Sequence, residues 1–206
     1  MRKATKTVAV WLGFIAGLAG MGHGYYETLQ GNIRPTSLAF PSIGPPCVAE
    51  QVWNGCEPAM SILPNFLVTG ILAILIGLVV MVWALAFVQR KHGGLTLILL
   101  SVVLLLFGGG FFPPLIGIVG GLAGTQINKP LPAKKASWLL RLAARLWPWP
   151  LVIFVVWVLG QVPVGYFFNT FMQSIMIFGV SLILAMLPIS VYSAYAHDVD
   201  VAAKGA

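Results

Sequence analysis

One short stretch of the sequence holds side chains that could exchange protons or bind a ligand: His23, Tyr25, Tyr26 and Glu27. His23 and Glu27 are four residues apart, which places them about one turn apart on the same face of a helix. A carboxylate in that position could orient the imidazole and raise its basicity. The alternative is an ordinary aromatic belt, because tyrosines are common where a membrane helix meets water. The sequence favours the belt and leaves acid–base chemistry open.

The chain has two cysteines, Cys47 and Cys56, with the turn-forming residues Asn54 and Gly55 between them. We expect a disulfide, which would close a loop of about ten residues and order a segment that has no core of its own. Two unpaired thiols are the alternative. A C-x-x-C motif is missing, which argues against a thiol redox enzyme. Neither cysteine has a second ligand at zinc-finger spacing, so we predict no metal and no cofactor.

The composition defines the class of protein that must position these residues. Of 206 residues, 59% are hydrophobic and 8% are charged, against about a quarter charged in soluble domains. Four stretches lack Asp, Glu, Lys and Arg and are long enough to cross a hydrocarbon core of about 30 Å. They are residues 7–26, 61–89, 95–128 and 146–196. We therefore predict an all-α fold, a polytopic membrane helix bundle that forms a single integral membrane domain over residues 1–206.

The last two stretches are too long for one helix each. The run from Gly108 to Pro114, with three glycines and two prolines, divides residues 95–128 into two short arms. In the final stretch, Gln161, Pro163 and Asn169 mark a turn between a helix over 150–166 and a helix over 171–195, which Pro188 should kink. About six membrane segments result, including a short broken hairpin at 95–128.

The positions of the basic residues predict the topology, because short cytoplasmic loops are enriched in Lys and Arg. If 95–128 crossed the membrane once, most of the twelve basic residues would lie outside. If it returns to its own side, Arg34 alone lies outside. We therefore predict a hairpin, with both termini cytoplasmic, in a cell or inner membrane. A cleaved signal peptide is the alternative interpretation of the first segment, and it would leave the following loop outside.

Two loops stand out in this topology. Residues 27–60 form the predicted extracytoplasmic loop, which holds both cysteines and three of the five acids. Residues 129–149 form a cytoplasmic basic loop, in which Ser137 should cap an interfacial helix. Its apolar face carries Trp138, Leu139, Leu142 and Leu146, and its predicted membrane-surface basic residues are Lys134, Lys135, Arg141 and Arg145. Anionic lipid explains the net charge of +7, and we expect no nucleic-acid partner.

Glycines recur at small-xxx-small spacing in two of the predicted segments. They are Gly13, Gly17, Gly20 and Gly24 in the first segment, and Gly117, Gly120, Gly121 and Gly124 in the second arm of the hairpin. Such faces let two helix backbones approach closely. We therefore expect the first segment and the second arm to be neighbours in the bundle.

The function is constrained mainly by what the spans lack. No acid or base lies in the centre of a predicted span, which argues against proton-coupled carriers and voltage sensors, and there is no P-loop. The leading hypothesis is a non-enzymatic bundle that binds a partner membrane protein, a second copy or an apolar or lipidic ligand. The alternatives are a membrane-embedded lipid-modifying enzyme that uses His23 and Glu27 near the outer leaflet, and a channel or carrier for an uncharged solute. The predicted ligand site lies at the outer end of the bundle, and its residues are His23, Tyr26, Glu27, Asn65, Gln161 and Asn169.

Overall fold

The computed structural model describes residues 1–42, 57–131 and 137–204. Within these ranges the chain forms eight helices and one pair of short strands. They are α1 (Lys3–Gln30), β1 (Ala39–Pro41), β2 (Pro58–Met60), α2 (Phe66–Ala86), α3 (Gly93–Leu106), α4 (Phe112–Gly124), α5 (Trp138–Leu146), α6 (Trp149–Phe167), α7 (Asn169–Ser174) and α8 (Met176–Lys204). Cys47, Cys56, Lys134 and Lys135 lie outside the described residues, so the disulfide and the two surface lysines stay predictions.

The helical fold predicted from the composition is confirmed. Four helical stretches in the described part of the chain are long and apolar enough to cross a membrane: α1, α2, the stretch Trp138–Phe167 that comprises α5 and α6, and α8. Two further apolar helices, α3 and α4, are shorter. A bundle that crosses a membrane several times is consistent with these lengths.

The two short helices α3 and α4 form an antiparallel hairpin. Gly94, at the start of α3, packs against the backbone of Thr125, just after α4. Beyond the helices, Nδ2 of Asn128 donates a hydrogen bond of 2.8 Å to the carbonyl of Gln89. The chain therefore returns to the end of the bundle from which it started. The tip of the hairpin, residues 107–111, reaches the far end of α1, where the backbone of Gly108 lies against Glu27.

Helix α1 packs between α2 and α4 through glycine-lined contacts, as its small-residue spacing predicts. Gly117 of α4 lies against Ala16, and Gly120 lies against Leu12. On the other side of α1, the carbonyl of Gly17 approaches Gly77 so closely that a Cβ there would collide with it. Short side chains allow this contact between backbones, and in an apolar environment such packing replaces the hydrophobic drive that water would supply.

Both ends of the chain meet at one end of the bundle, which we call the terminal end; the opposite end is the loop end. The carboxylate of Asp198 in α8 accepts hydrogen bonds from the backbone N–H groups of Ala4 at 3.0 Å and Thr5 at 2.9 Å, and from the Thr5 hydroxyl at 2.7 Å. The Arg2 guanidinium lies 5.0 Å from the ring centroid of Tyr195. An acid at a helix N-terminus is stabilised by the helix dipole, so Asp198 joins α1 to α8.

The helix over Trp138–Leu146 begins where the sequence predicts. The Ser137 hydroxyl accepts a hydrogen bond of 3.3 Å from the N–H of Leu140. Ala143 and Ala144 pack on Ala196 of α8. The four apolar side chains of the predicted interfacial face and the two arginines of the other face are exposed.

The last two membrane helices each contain a proline. Pro163 lies inside α6 and Pro188 lies inside α8, and neither helix ends there. The predicted helix over 150–166 is confirmed, since α6 ends at Phe167, one residue beyond the predicted end. The chain leaves helical geometry at Phe168 and Ile175, on either side of α7. An interior proline removes one backbone bond, a loss that apolar helices tolerate where neighbouring groups satisfy the freed carbonyl.

Candidate ligand site

A two-stranded antiparallel pair covers the loop end of α1. Phe40 of β1 pairs with Ala59 of β2, and the Phe40 ring packs edge-to-face on Phe66 with a centroid distance of 4.8 Å. This contact fixes the pair on the first residue of α2. The N–H of Ser42 then donates a 2.9 Å hydrogen bond to the carbonyl of Glu57. The strand pair thus delivers a hydroxyl and a carboxylate side by side to α1.

Glu27 is fully buried beneath this strand pair. Its Oε1 accepts a 3.1 Å hydrogen bond from the Ser42 hydroxyl, and its Oε2 accepts a 2.6 Å hydrogen bond from the Thr69 hydroxyl of α2. A buried carboxyl group requires such partners, because burial without them is costly. Glu27 therefore joins α1, the strand pair and α2, and its two oxygens are engaged inside the protein.

His23 lies one turn before Glu27 and has a different partner. Its Nε2 is 3.0 Å from Oε2 of Glu57, and the side chain is 4% exposed. The backbone of Gly110, at the tip of the α3–α4 hairpin, covers the same edge of the imidazole. Among the described residues, the buried Nδ1 has no hydrogen-bond partner.

The proposed pairing of His23 with Glu27 is therefore wrong. The two side chains share a helix face, as their spacing predicts. Each has a partner from outside the helix instead: Ser42 binds Glu27, and Glu57 binds His23. Pairs four residues apart on a helix are worth only about 0.3–0.5 kcal/mol. A weak local pair is readily replaced when tertiary structure brings other partners close.

A cavity of about 300 Å³ begins at this His23–Glu57 contact and extends between α1, α4, α6 and α8. Its walls are mostly apolar. The polar and aromatic-polar side chains that line it include His23, Tyr26, Glu57 and Gln161. The volume lies at the lower limit of small-molecule sites, which typically combine apolar walls with a few placed polar groups.

The cavity forms because α6 leaves the core before it ends. Phe154 is fully buried and Val158 is 9% exposed, whereas Val162, one turn further, is 57% exposed. On α1, Leu18 is 40% exposed. Both Leu18 and Val162 line the cavity. The cavity therefore opens sideways, between α1 and α6.

The structure brings together three of the six residues that the sequence assigned to a ligand site: His23, Tyr26 and Gln161 line the cavity. Glu27 lies beside it, bound to Ser42 and Thr69. Asn65 is elsewhere, where its Oδ1 accepts a 3.0 Å hydrogen bond from the N–H of Val68 at the start of α2. Asn169 begins α7 and is not among the described residues that line the cavity.

Three residues of the site, Ser42, Glu57 and Thr69, are not predicted by any pattern in the sequence. Glu57 was visible only as one of three acids in the segment 27–60. Its contact with His23 depends on the pairing of two three-residue strands, which no hydrophobic periodicity signals. Thr69 lies in a continuous apolar run, and a single threonine there does not indicate which helix face is buried or which residue it binds.

In the part of the chain that the structure describes, no group of three or more His, Cys, Asp or Glu side chains could hold a metal ion. Comparison of the chain with protein families, with curated proteins and with solved structures finds no match. Any function assigned to the protein therefore rests on the geometry of the cavity and of the His23–Glu57 contact.

Proposed function

We propose that the protein is a polytopic integral membrane protein that binds a lipidic ligand in the cavity between α1, α4, α6 and α8. Its six membrane segments are α1, α2, α3, α4, α6 and α8, with the terminal end in the cytoplasm. The observation that carries this proposal is the cavity itself: apolar walls lead to one polar end, where His23 meets Glu57. An amphiphile has the same division between an apolar chain and a polar head.

The sideways opening supports a ligand that enters from the bilayer. Leu18 and Val162 flank a gap that would face lipid tails if α1 and α6 span the membrane. An acyl chain that moves from the bilayer into the cavity exchanges one apolar environment for another, so the chain contributes little to selectivity. The polar end of the cavity then decides which amphiphile binds.

Two glycines offer a matched test of this proposal. A Cβ added to Gly22 or to Gly160 meets no atom within 4 Å, and Gly22 lines the cavity whereas Gly160 does not. Both replacements raise helix propensity, so Gly22→Leu should fill the cavity without harming the fold, and Gly160→Leu is the control.

The two variants and the unmodified protein should be purified in mild detergent and weighed by native mass spectrometry. We expect the unmodified protein and Gly160→Leu to retain one amphiphile per chain, and Gly22→Leu to lose it. Equal retention in all three proteins would show that the bound lipid lies elsewhere, and the proposal would fail.

A second function, a membrane-embedded lipid-modifying enzyme, is favoured by one observation. The His23 imidazole is buried and held by the Glu57 carboxylate, an arrangement that suits general acid–base catalysis. Under this hypothesis the His23→Gln variant binds its substrate but does not convert it. The molecule that it retains should therefore differ in mass from the amphiphile retained by the unmodified protein. The same mass in both proteins would support binding alone.

A further inference from the structure

We infer that the ligand's head group is a hydrogen-bond donor without negative charge, a hydroxyl or an ammonium, and that Glu57 accepts its hydrogen bond. This inference rests on the proposed function, because it names the chemistry that the same cavity selects. It follows from an acceptor at the polar end of the cavity to which no described residue donates, and from the charges around that end.

The acceptor that lacks a donor among the described residues is Oε1 of Glu57. Oε2 of the same carboxylate is bound to His23, and among the described residues nothing donates a hydrogen bond to Oε1. The side chain is 33% exposed and lines the cavity. An ionised carboxylate has acceptors only. A head that binds there must therefore supply the donor.

The charges around the polar end disfavour an anionic head. None of the described residues that line the cavity is Lys or Arg. The whole segment 27–60 holds Glu27, Glu50 and Glu57 against one base, Arg34, which is exposed and does not line the cavity. Phosphate and carboxylate heads are normally held by Arg or Lys. An anion would instead face the carboxylate of Glu57.

The remaining polar side chains are compatible with a donor head. Tyr26 and Gln161 line the cavity, and each can both donate and accept hydrogen bonds. Either side chain can therefore pair with a hydroxyl, and either can accept a hydrogen bond from an ammonium. Glu57 is therefore the residue that selects against an anionic head group.

Three photoreactive probes with the same diazirine-bearing hexadecyl chain test this inference, one ending in a hydroxyl, one in an ammonium and one in a carboxylate. They should be added to the full-length protein in nanodiscs of uncharged lipid, and the cross-linked fraction measured. We expect the alcohol and the amine to label the protein several-fold more than the carboxylate does. Whichever of these two probes labels the protein more strongly identifies the head group as a hydroxyl or an ammonium. Both of these outcomes support the inference.

Glu57→Gln should reduce the ratio of amine to carboxylate labelling by about tenfold, the effect of one charge-assisted hydrogen bond. Glu57→Asp, which keeps the charge, should preserve the preference. Equal or stronger labelling by the carboxylate probe would overturn the inference, and so would a ratio that Glu57→Gln leaves unchanged. If Glu57→Gln does not accumulate, the ratio in the unmodified protein decides.

Gly22→Leu separates this inference from the proposed function. If it removes labelling by every probe while Gly160→Leu does not, the cavity is the site and the head-group ratio tests the inference alone. If Gly22→Leu and Gly160→Leu are labelled equally, the proposed function fails.

Discussion

The backbone of Gly110 lies so close to the imidazole of His23 that a Cβ on Gly110 would come within 2.5 Å of Nε2. Gly110 has a φ of 77°, a left-handed conformation that glycine adopts at no steric cost. Glycine is therefore required here both for its conformation and for its lack of a side chain. The tip of the α3–α4 hairpin closes over the His23–Glu57 contact only under these two conditions.

Replacement of Gly110 by Ala should destabilise the protein and disturb the polar end of the cavity. Gly31→Ala is the matched control, because Gly31 has a φ of 78° and a Cβ there would meet nothing within 4 Å. Gly31→Ala should cost about 1–3 kcal/mol, because the backbone of Gly31, with a ψ of −162°, lies in a region that is essentially restricted to glycine. Gly110→Ala should cost more and should also reduce retention of the ligand. Thermal unfolding in detergent measures the first effect and native mass spectrometry the second. Equal effects of the two variants would contradict the close packing on His23.

Asp198→Ala should loosen the terminal end of the bundle. It removes the acceptor of three hydrogen bonds from Ala4 and Thr5, and the loss of a comparable N-terminal helix cap costs about 1–2 kcal/mol. The control is Asp200→Ala, since the partner of Asp200 among the described residues is the exposed Lys204 one turn along the same helix, a contact worth at most about 0.5 kcal/mol. The apparent melting temperature should fall clearly for Asp198→Ala and hardly for Asp200→Ala. A similar fall in both would argue against the link between α1 and α8.

Cys47 and Cys56 should be joined by a disulfide, which their spacing in the segment 27–60 predicts. Maleimide should not label intact cells until a reductant is added. In Cys47→Ser the remaining Cys56 should react without reductant. Labelling of the unmodified protein before reduction would disprove the bridge.

The antiparallel arrangement of α3 and α4 predicts that reporters placed after Lys91 and after Gln126 read the same compartment. The hydrogen bond from Asn128 to Gln89 brings the two ends of the hairpin together, and a hydrogen bond from the N–H of Arg2 to the carbonyl of Ile127 places them at the terminal end. Both reporters, and one at the C-terminus, should read cytoplasmic, and a reporter after Asn54 should read the opposite side. A split result between Lys91 and Gln126 would be incompatible with the hairpin.

Much of the helical framework follows from local patterns in the sequence. The apolar stretches predict the long helices, the run from Gly108 to Pro114 predicts the hairpin turn, and Ser137 predicts the start of α5. The glycine spacing also predicts that α1 and α4 are neighbours. These features depend on helix propensity, backbone conformation and close packing, which residue types reveal directly.

The candidate site was harder to predict because its parts come from distant segments. The contact of His23 with Glu57 requires that β1 and β2 pair over the end of α1, and the pairing involves only three residues on each strand. The cavity depends on where α6 leaves the core, between Val158 and Val162, which the even hydrophobicity of that helix conceals. Sequence periodicity specifies which face of a helix is apolar, but here every face is apolar.

An experimental density map of the protein, purified from its native membrane into nanodiscs, tests the central claim most directly. We predict one elongated density along the apolar walls between α1 and α6, with its polar end within hydrogen-bonding distance of Glu57. Gly22→Leu should lack this density, and Gly160→Leu should keep it. A cavity that is closed by α6 packing on α1, or a water-filled path that joins the two ends of the bundle, would contradict a site for a lipidic ligand.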